Sequence, residues 1–376
     1  MKNNLLLFMT VFIISWLFFE IILTNYDEKT TSLKLWKLDA PYEDINLKDP
    51  NDWLKSEGFD FELGWDNPNK INNYQSSNNY IAQAYGNSFI QSGYGENNET
   101  WDIAFSKLSG GYGILNLGVQ GYGLDQAVLK FEKYHKELKS KYKTKVAILG
   151  LYSEQFRRML NYHSYYYFHN SDDNTFIYKP RFYKRDNEYD IFSPPCNNID
   201  CFHEIVSGNK DSIGIFKANH DYFYKKNSHK PSLKFPRFIS YVKAIPSYLN
   251  LRRQRNGDAP WSFLSDESID LTKYLINRFI LSSTNQKVVP IMILLYGERD
   301  LKKIFNGKRE DKWLLKFFNE NSIKFIDTTP YFYKYFKDKG EIKSLFVPNN
   351  GHYNTNGDFI VAKSIFDFFQ KNKIIN

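Results

Sequence analysis

Five short apolar runs, over residues 81–85, 113–119, 145–152, 288–296 and 323–328, are bounded by turn residues and have the length of buried strands. Between the second and third, Leu124, Val128, Phe131, His135, Leu138 and Tyr142 recur at helical spacing, with Ala127 and Tyr134 on the same side. Residues 266–283 and 357–371 repeat that pattern, and the acidic "DESIDL" suits a first helical turn. Strands alternating with helices predict an α/β fold with a parallel sheet of about five strands, rather than a β-sandwich.

Two stretches break the alternation. Residues 160–265 are too long for a plain connection. They carry the aromatic runs "YHSYYYFHN" and "KPRFYKRDNEYDIF" and the basic "FPRFISYVKAIPSYLNLRRQR", and they predict a cap inserted over the strand ends. Residues 25–79 are polar and predict a stalk or loosely packed extension, so that the ordered domain spans 80–376. Ahead of the stalk, residues 5–23, "LLLFMTVFIISWLFFEIIL", hold a single charge, Glu20. As a helix rising about 1.5 Å per residue the run extends about 28 Å, close to a hydrocarbon core. Residues 1–24 therefore predict a signal anchor, with a cleaved signal peptide as the competing reading. Lys2 before the run and Asp27 and Glu28 after it favour a globular part outside the cytoplasm.

Composition changes this picture little. The chain is 42% hydrophobic and 18% aromatic, enough for a sizeable core, and its charge of +8 is modest for 376 residues. No nucleic-acid motif accompanies that charge. In an exported domain, Cys196 and Cys201 in "PPCNNIDCFH" are a disulfide or structural thiols before they are a metal site, since only His203 lies close enough to join them.

Candidate chemistry gathers where ligands bind an open parallel sheet, beyond the carboxyl ends of its strands. Ser88, in "YGNSF", follows the first strand and needs a base and an oxyanion site to become a nucleophile. His352, in "NNGHYNTNG", follows the last strand. The other histidines lie on a helix face (His135) or in the insertion (His163, His169, His203, His220, His229) and suit structural roles better. In "NLGVQGYGLDQA" a strand ends in a glycine-rich turn where Gly121 can bring its N–H close to an oxyanion. The spacing of these glycines does not fit a dinucleotide-binding loop.

These three segments, in this order on an α/β pattern, resemble the SGNH/GDSL hydrolases over residues 80–370, the long insertion apart. The resemblance implies a three-layer α/β/α, flavodoxin-like fold with Ser88 as nucleophile and His352 as base. It also implies an oxyanion- or substrate-binding set of Gly121, Gln155 and Asn87, and no cofactor. The chain departs from the family at three places: Asn87 stands for the usual Asp before the serine, Gln155 for the third-block Asn, and Asn349 for the carboxylate that orients the histidine. Asn349 can still orient an imidazole through its carbonyl. Asp327 is a possible substitute carboxylate whose default role is a helix cap. Arg157 or Arg158 can meet an anionic substrate group, with a solvated or paired arginine as the default. The expected activity is ester hydrolysis on an acylated envelope glycan or similar small ester, by a membrane-attached protein that binds no nucleic acid. O-acyl transfer to a polysaccharide and an inactive glycan- or partner-binding module are the alternatives.

Overall fold

The computed structural model describes residues 2–29, 59–60, 62–66, 79–95, 99–161, 179–193 and 265–375. The elements in chain order are α1 (Lys2–Lys29), β1 (Phe59–Asp60), β2 (Gly64–Trp65), β3 (Asn79–Tyr85), α2 (Ser88–Gln91), α3 (Trp101–Leu108), β4 (Tyr112–Asn116), α4 (Leu124–Tyr142) and β5 (Val146–Leu151). There follow α5 (Ser153–Arg158), the hairpin β6 (Arg181–Arg185) and β7 (Glu188–Phe192), α6 (Asp266–Asn285), β8 (Val289–Leu294), α7 (Glu298–Phe305), α8 (Lys312–Glu320), β9 (Phe325–Asp327), α9 (Thr329–Lys339) and α10 (Thr355–Lys371).

The five predicted strands are β3, β4, β5, β8 and β9; β5, β8 and β9 are trimmed at both ends, β3 begins two residues earlier than its apolar run, and β4 begins one residue earlier and ends short. They form one parallel sheet in the order β4-β3-β5-β8-β9. Counted along the chain this is 2-1-3-4-5, the flavodoxin-like order, whose switch point lies between the first strand and the third. Right-handed crossovers to the left and right of β3 then put helices on both faces. Accordingly α3 packs with α10, while α4 packs with α6. The apolar stripe of α4 is fully buried at Val128, Phe131 and His135, and β5 and β8 contribute continuous buried runs.

The fourth strand ends at Asn116, three residues short of the apolar run, because the chain leaves the sheet as an extended loop. Leu117 N–H still bonds the Ala84 carbonyl and Val119 N–H the Gly86 carbonyl, at 2.8 and 3.1 Å. That loop thereby runs alongside the turn carrying Ser88.

Residues 59–66, within the stretch read as a stalk, dock on α4. Asp60 meets Lys133 Nζ (2.6 Å) and Tyr134 Oη (3.0 Å), Gln126 Nε2 donates to the Leu63 carbonyl (2.9 Å), and buried Asp66 pairs with buried Lys130 at 2.5 Å. Isolated apolar residues in a polar stretch carry no periodicity, so the sequence does not announce this docking.

The apolar N-terminal run lies in α1, with Leu7, Phe8, Val11, Phe12, Ile14 and Phe18 more than half exposed. Among the described residues no helix is long and apolar enough to cross a membrane. Most of the predicted cap, including Cys196, Cys201 and the aromatic run after Asn161, lies outside the described residues. The part within them is the hairpin β6–β7, joined to α6 by Arg181–Glu267 at 2.7 Å.

Candidate active site

The Ser88 turn is built by close backbone packing. Gly86 and Gly150 leave room for Ile90, since a Cβ on either would approach Ile90 Cγ1 within 2.5 Å. Asn87 then caps α2, its Oδ1 accepting from Phe89 N–H at 3.0 Å. Ser88 is thereby presented at the first position of α2, just beyond β3, and α5 opens just beyond β5. The two elements flank the switch point, where the diverging crossovers leave a crevice.

His352 arrives from the loop before α10. Its Nε2 lies 2.8 Å from Ser88 Oγ, within the range expected of a nucleophile and its base. The other ring nitrogen, Nδ1, meets Asn350 Oδ1 in a short contact. An amide oxygen can only accept, so Nδ1 carries the proton and Nε2 is left to accept from the Ser88 hydroxyl. The imidazole partner is thus Asn350 and not the expected Asn349. Asn349 adopts φ 60°, a left-handed turn conformation that asparagine tolerates. Asp327 is occupied elsewhere: Oδ1 accepts from Thr329 N–H and Oγ1 at the start of α9, and Oδ2 pairs with Arg309 at 2.9 Å.

Aromatic rings fix the imidazole plane. Tyr94 stacks on it with centroids 4.0 Å apart and planes at 18°, and Phe89 packs from 5.2 Å. Neither ring was singled out from the sequence, although both flank Ser88. Burial holds His352 well below its ordinary value, at about 4, with the Arg158 guanidinium adding to the effect and the Glu154 carboxylate opposing it. The imidazole is therefore neutral at neutral pH. Burial pushes Tyr94 up to about 12, against the pull of Arg158 and of the nearby Ser88 hydroxyl. The Tyr94 hydroxyl is buried without a hydrogen-bond partner among the described residues.

Gln155 stands at the third position of α5. Its Oε1 accepts from Tyr152 N–H at 2.8 Å, which fixes the orientation of the amide. Its Nε2 is buried and has no hydrogen-bond partner among the described residues. Leaving such a donor without an acceptor costs about 1–3 kcal/mol, so an arriving oxygen would be welcome there. The Asn87 Nδ2 is in the same condition. Gly121 is buried at φ 77° in the turn closed by Tyr122 N–H on the Val119 carbonyl, a conformation that favours glycine. Of Arg157 and Arg158, Arg158 is paired with Glu154 at 2.5 Å and reaches the Tyr122 carbonyl at 3.5 Å, so it braces the Gly121 turn against α5.

Asn116, which no motif marks, ties these parts together. Its side-chain amide donates to the Gln91 carbonyl (3.2 Å) and Asp102 Oδ1 (2.7 Å), and its Oδ1 accepts from Gly118 N–H (3.2 Å). It thereby joins the end of α2 to the loop leading to Gly121. Among the described residues no group of three His, Cys, Asp or Glu side chains is placed to hold a metal ion.

No family model and no curated protein matches the sequence. Among solved structures the chain is similar to an acetylxylan esterase from Geobacillus stearothermophilus, solved as a catalytic mutant, with a TM-score of 0.36 and 10% identity over 78% of this chain and 93% of that one. It is also similar to a GDSL-like lipase from Bacteroides thetaiotaomicron, with a TM-score of 0.33 and 10% identity over 81% of this chain and 95% of that one. Both likenesses are distant.

Proposed function

We propose that the chain is a serine-dependent ester hydrolase of the SGNH/GDSL type, and the observation that carries this reading is the 2.8 Å contact between Ser88 Oγ and a neutral His352. Ser88 Oγ attacks the ester carbonyl as its proton passes to His352 Nε2. The carbonyl electron pair moves onto oxygen, and we assign Gln155 Nε2, the Gly121 N–H and the Ser88 N–H as the donors that meet the developing charge. Collapse of this intermediate breaks the bond to the leaving alkoxide, which takes the proton from the imidazolium and leaves an acyl-serine. Water then attacks, giving its proton to His352, and Ser88 departs with that proton as the free acid is released.

Asn350 orients the imidazole but adds no negative charge to stabilise the imidazolium, so the arrangement is a dyad held in register by an amide. The substrate proposed is an O-acyl group on an envelope glycan, with a sugar hydroxyl in place of water giving acyl transfer. This assignment follows from residues 5–23, which we propose as a membrane anchor that places the domain at the envelope.

Labelling with a fluorophosphonate tests the reading, because that probe reacts with activated serines. The chain should label, and Ser88→Ala and His352→Ala should each abolish the signal while leaving the thermal unfolding curve in place. Folded chain that stays unlabelled would favour a binding module built on the same fold.

A further inference from the structure

The sheet has a second edge of loops, opposite the one that bears Ser88 and about 20 Å from it along a six-residue strand such as β5. At this edge α4 ends at Tyr142, Lys143 turns the chain at φ 54°, and Lys145 leads into β5; Lys287, at φ 56°, leads from α6 towards β8. The two connections enclose a cleft of about 460 Å³ lined by Lys136, Lys139, Lys143, Lys145 and Lys287. Lys139 Nζ donates to the Gln286 carbonyl and so ties one connection to the other. Lys136, Lys143, Lys145 and Lys287 are exposed, and no carboxylate pairs with any of them among the described residues.

A helix end favours cations within its last turn, which accounts for Lys139. It does not account for Lys145 and Lys287, which come from two separate strand entries and converge on the same space. Like charges gathered this closely repel one another, and an anionic partner relieves that repulsion.

The path of the chain indicates which partner. β1, the first described element after α1, is fixed to α4 at Lys133 and Tyr134. From Lys133 to Lys143 is about 15 Å along the helix. An anchored chain therefore meets the domain midway along α4, the helix that ends in the cleft, within about 15 Å of the lysine edge. We infer that this cleft docks on the phosphate-bearing headgroups of an anionic bilayer and turns the Ser88 edge away from the membrane. The inference rests on the proposed anchoring by residues 5–23. Each lysine brought to an anionic surface favours contact by about fivefold, and only within a Debye length, about 10 Å at moderate salt.

The experiment is an amine-acetylation footprint of the full chain reconstituted into vesicles of phosphatidylcholine alone or mixed with phosphatidylglycerol, with exposed Lys316 as the internal reference. Docking predicts that acetylation of Lys136, Lys143, Lys145 and Lys287 falls about fivefold or more in the anionic vesicles only. Molar salt should reverse the protection, and Lys143→Glu/Lys287→Glu should remove it from Lys136 and Lys145 while fluorophosphonate labelling of Ser88 stays unchanged. Equal acetylation in both vesicles, with the chain floating alongside them, overturns the docking and leaves the anchor standing. A chain that floats with neither vesicle overturns the anchor and the docking together. Protection in phosphatidylcholine vesicles by an added soluble anionic glycan, matching that given by phosphatidylglycerol, overturns the lipid assignment in favour of a polymer ligand.

Discussion

Asn349 and Asn350 have the same side chain and different work, and backbone conformation separates them. Asn349 supplies the left-handed turn, while Asn350 meets the imidazole. The family spacing pointed to Asn349 because a turn shifts side-chain direction by one residue without leaving a trace in composition. Ser88 was legible because it follows a strand whose apolar run fixes where the chain emerges, and His352 because it stands after all the strands in a polar loop that runs into a patterned final helix. For the base, burial and Arg158 set the pH response. His352 is neutral above its value of about 4, so kcat/KM should hold from neutral pH down to about pH 5 and fall as pH drops through about 4. Asn350→Asp puts a negative charge beside the ring and should move that acid limb to higher pH, whereas Asn350→Ala should lower kcat about tenfold, less than the 10²–10⁴ that proton transfer by the base is worth. A pH–rate profile of the three proteins checks both, with Asn349→Ala expected to keep the acid limb of the unsubstituted chain.

Four-residue α2 cannot hold itself together, because a helix this short has not recovered the cost of its nucleus. Its stability comes from neighbours: Trp101 Nε1 donates to the Ile90 carbonyl at 2.6 Å, Asn116 holds Gln91, and Ser92 Oγ donates to Asp358 of α10 at 2.6 Å. Gly118 is the closest approach, for a Cβ there would lie 2.2 Å from Gln91 N and 2.7 Å from the Ile90 carbonyl carbon, both backbone atoms. Gly118→Ala must therefore displace either α2 or the loop that carries Gly121. Fluorophosphonate labelling should fall by about tenfold or more, with a stability loss near the 1–3 kcal/mol usual for overpacking, measured by urea unfolding. Long elements such as α4 could be read from their apolar stripe, whereas α2 has too few residues to show a period. Its glycines mark it only once the contacts are known.

At the scale of the whole molecule, the order of the strands was legible as a class and not as an arrangement, since apolar runs carry no record of their neighbours. The docking of residues 59–66 was hidden for a related reason: Lys130 is 1% exposed on a helix whose other lysines are exposed or half-buried, and its pairing with Asp66 explains it. Burial pulls Lys130 below its ordinary value and Asp66 opposes that pull. Lys130→Met leaves the carboxylate without its counter-ion and should cost about 3–5 kcal/mol, while Lys130→Met/Asp66→Leu should recover most of the loss. Thermal unfolding of the two variants checks this, and it would show whether the segment before β3 is part of the cooperative unit.

Ser88 and His352 are separated by 264 residues, and α10, which follows His352, also supplies the Asp358 contact to α2. Synthesis from the N-terminus produces the nucleophile early and the base near the end, so a partly made chain holds a serine with nothing to activate it. This order delays chemistry until nearly the whole domain has been made, and the timing of activation is written into the distance between two residues.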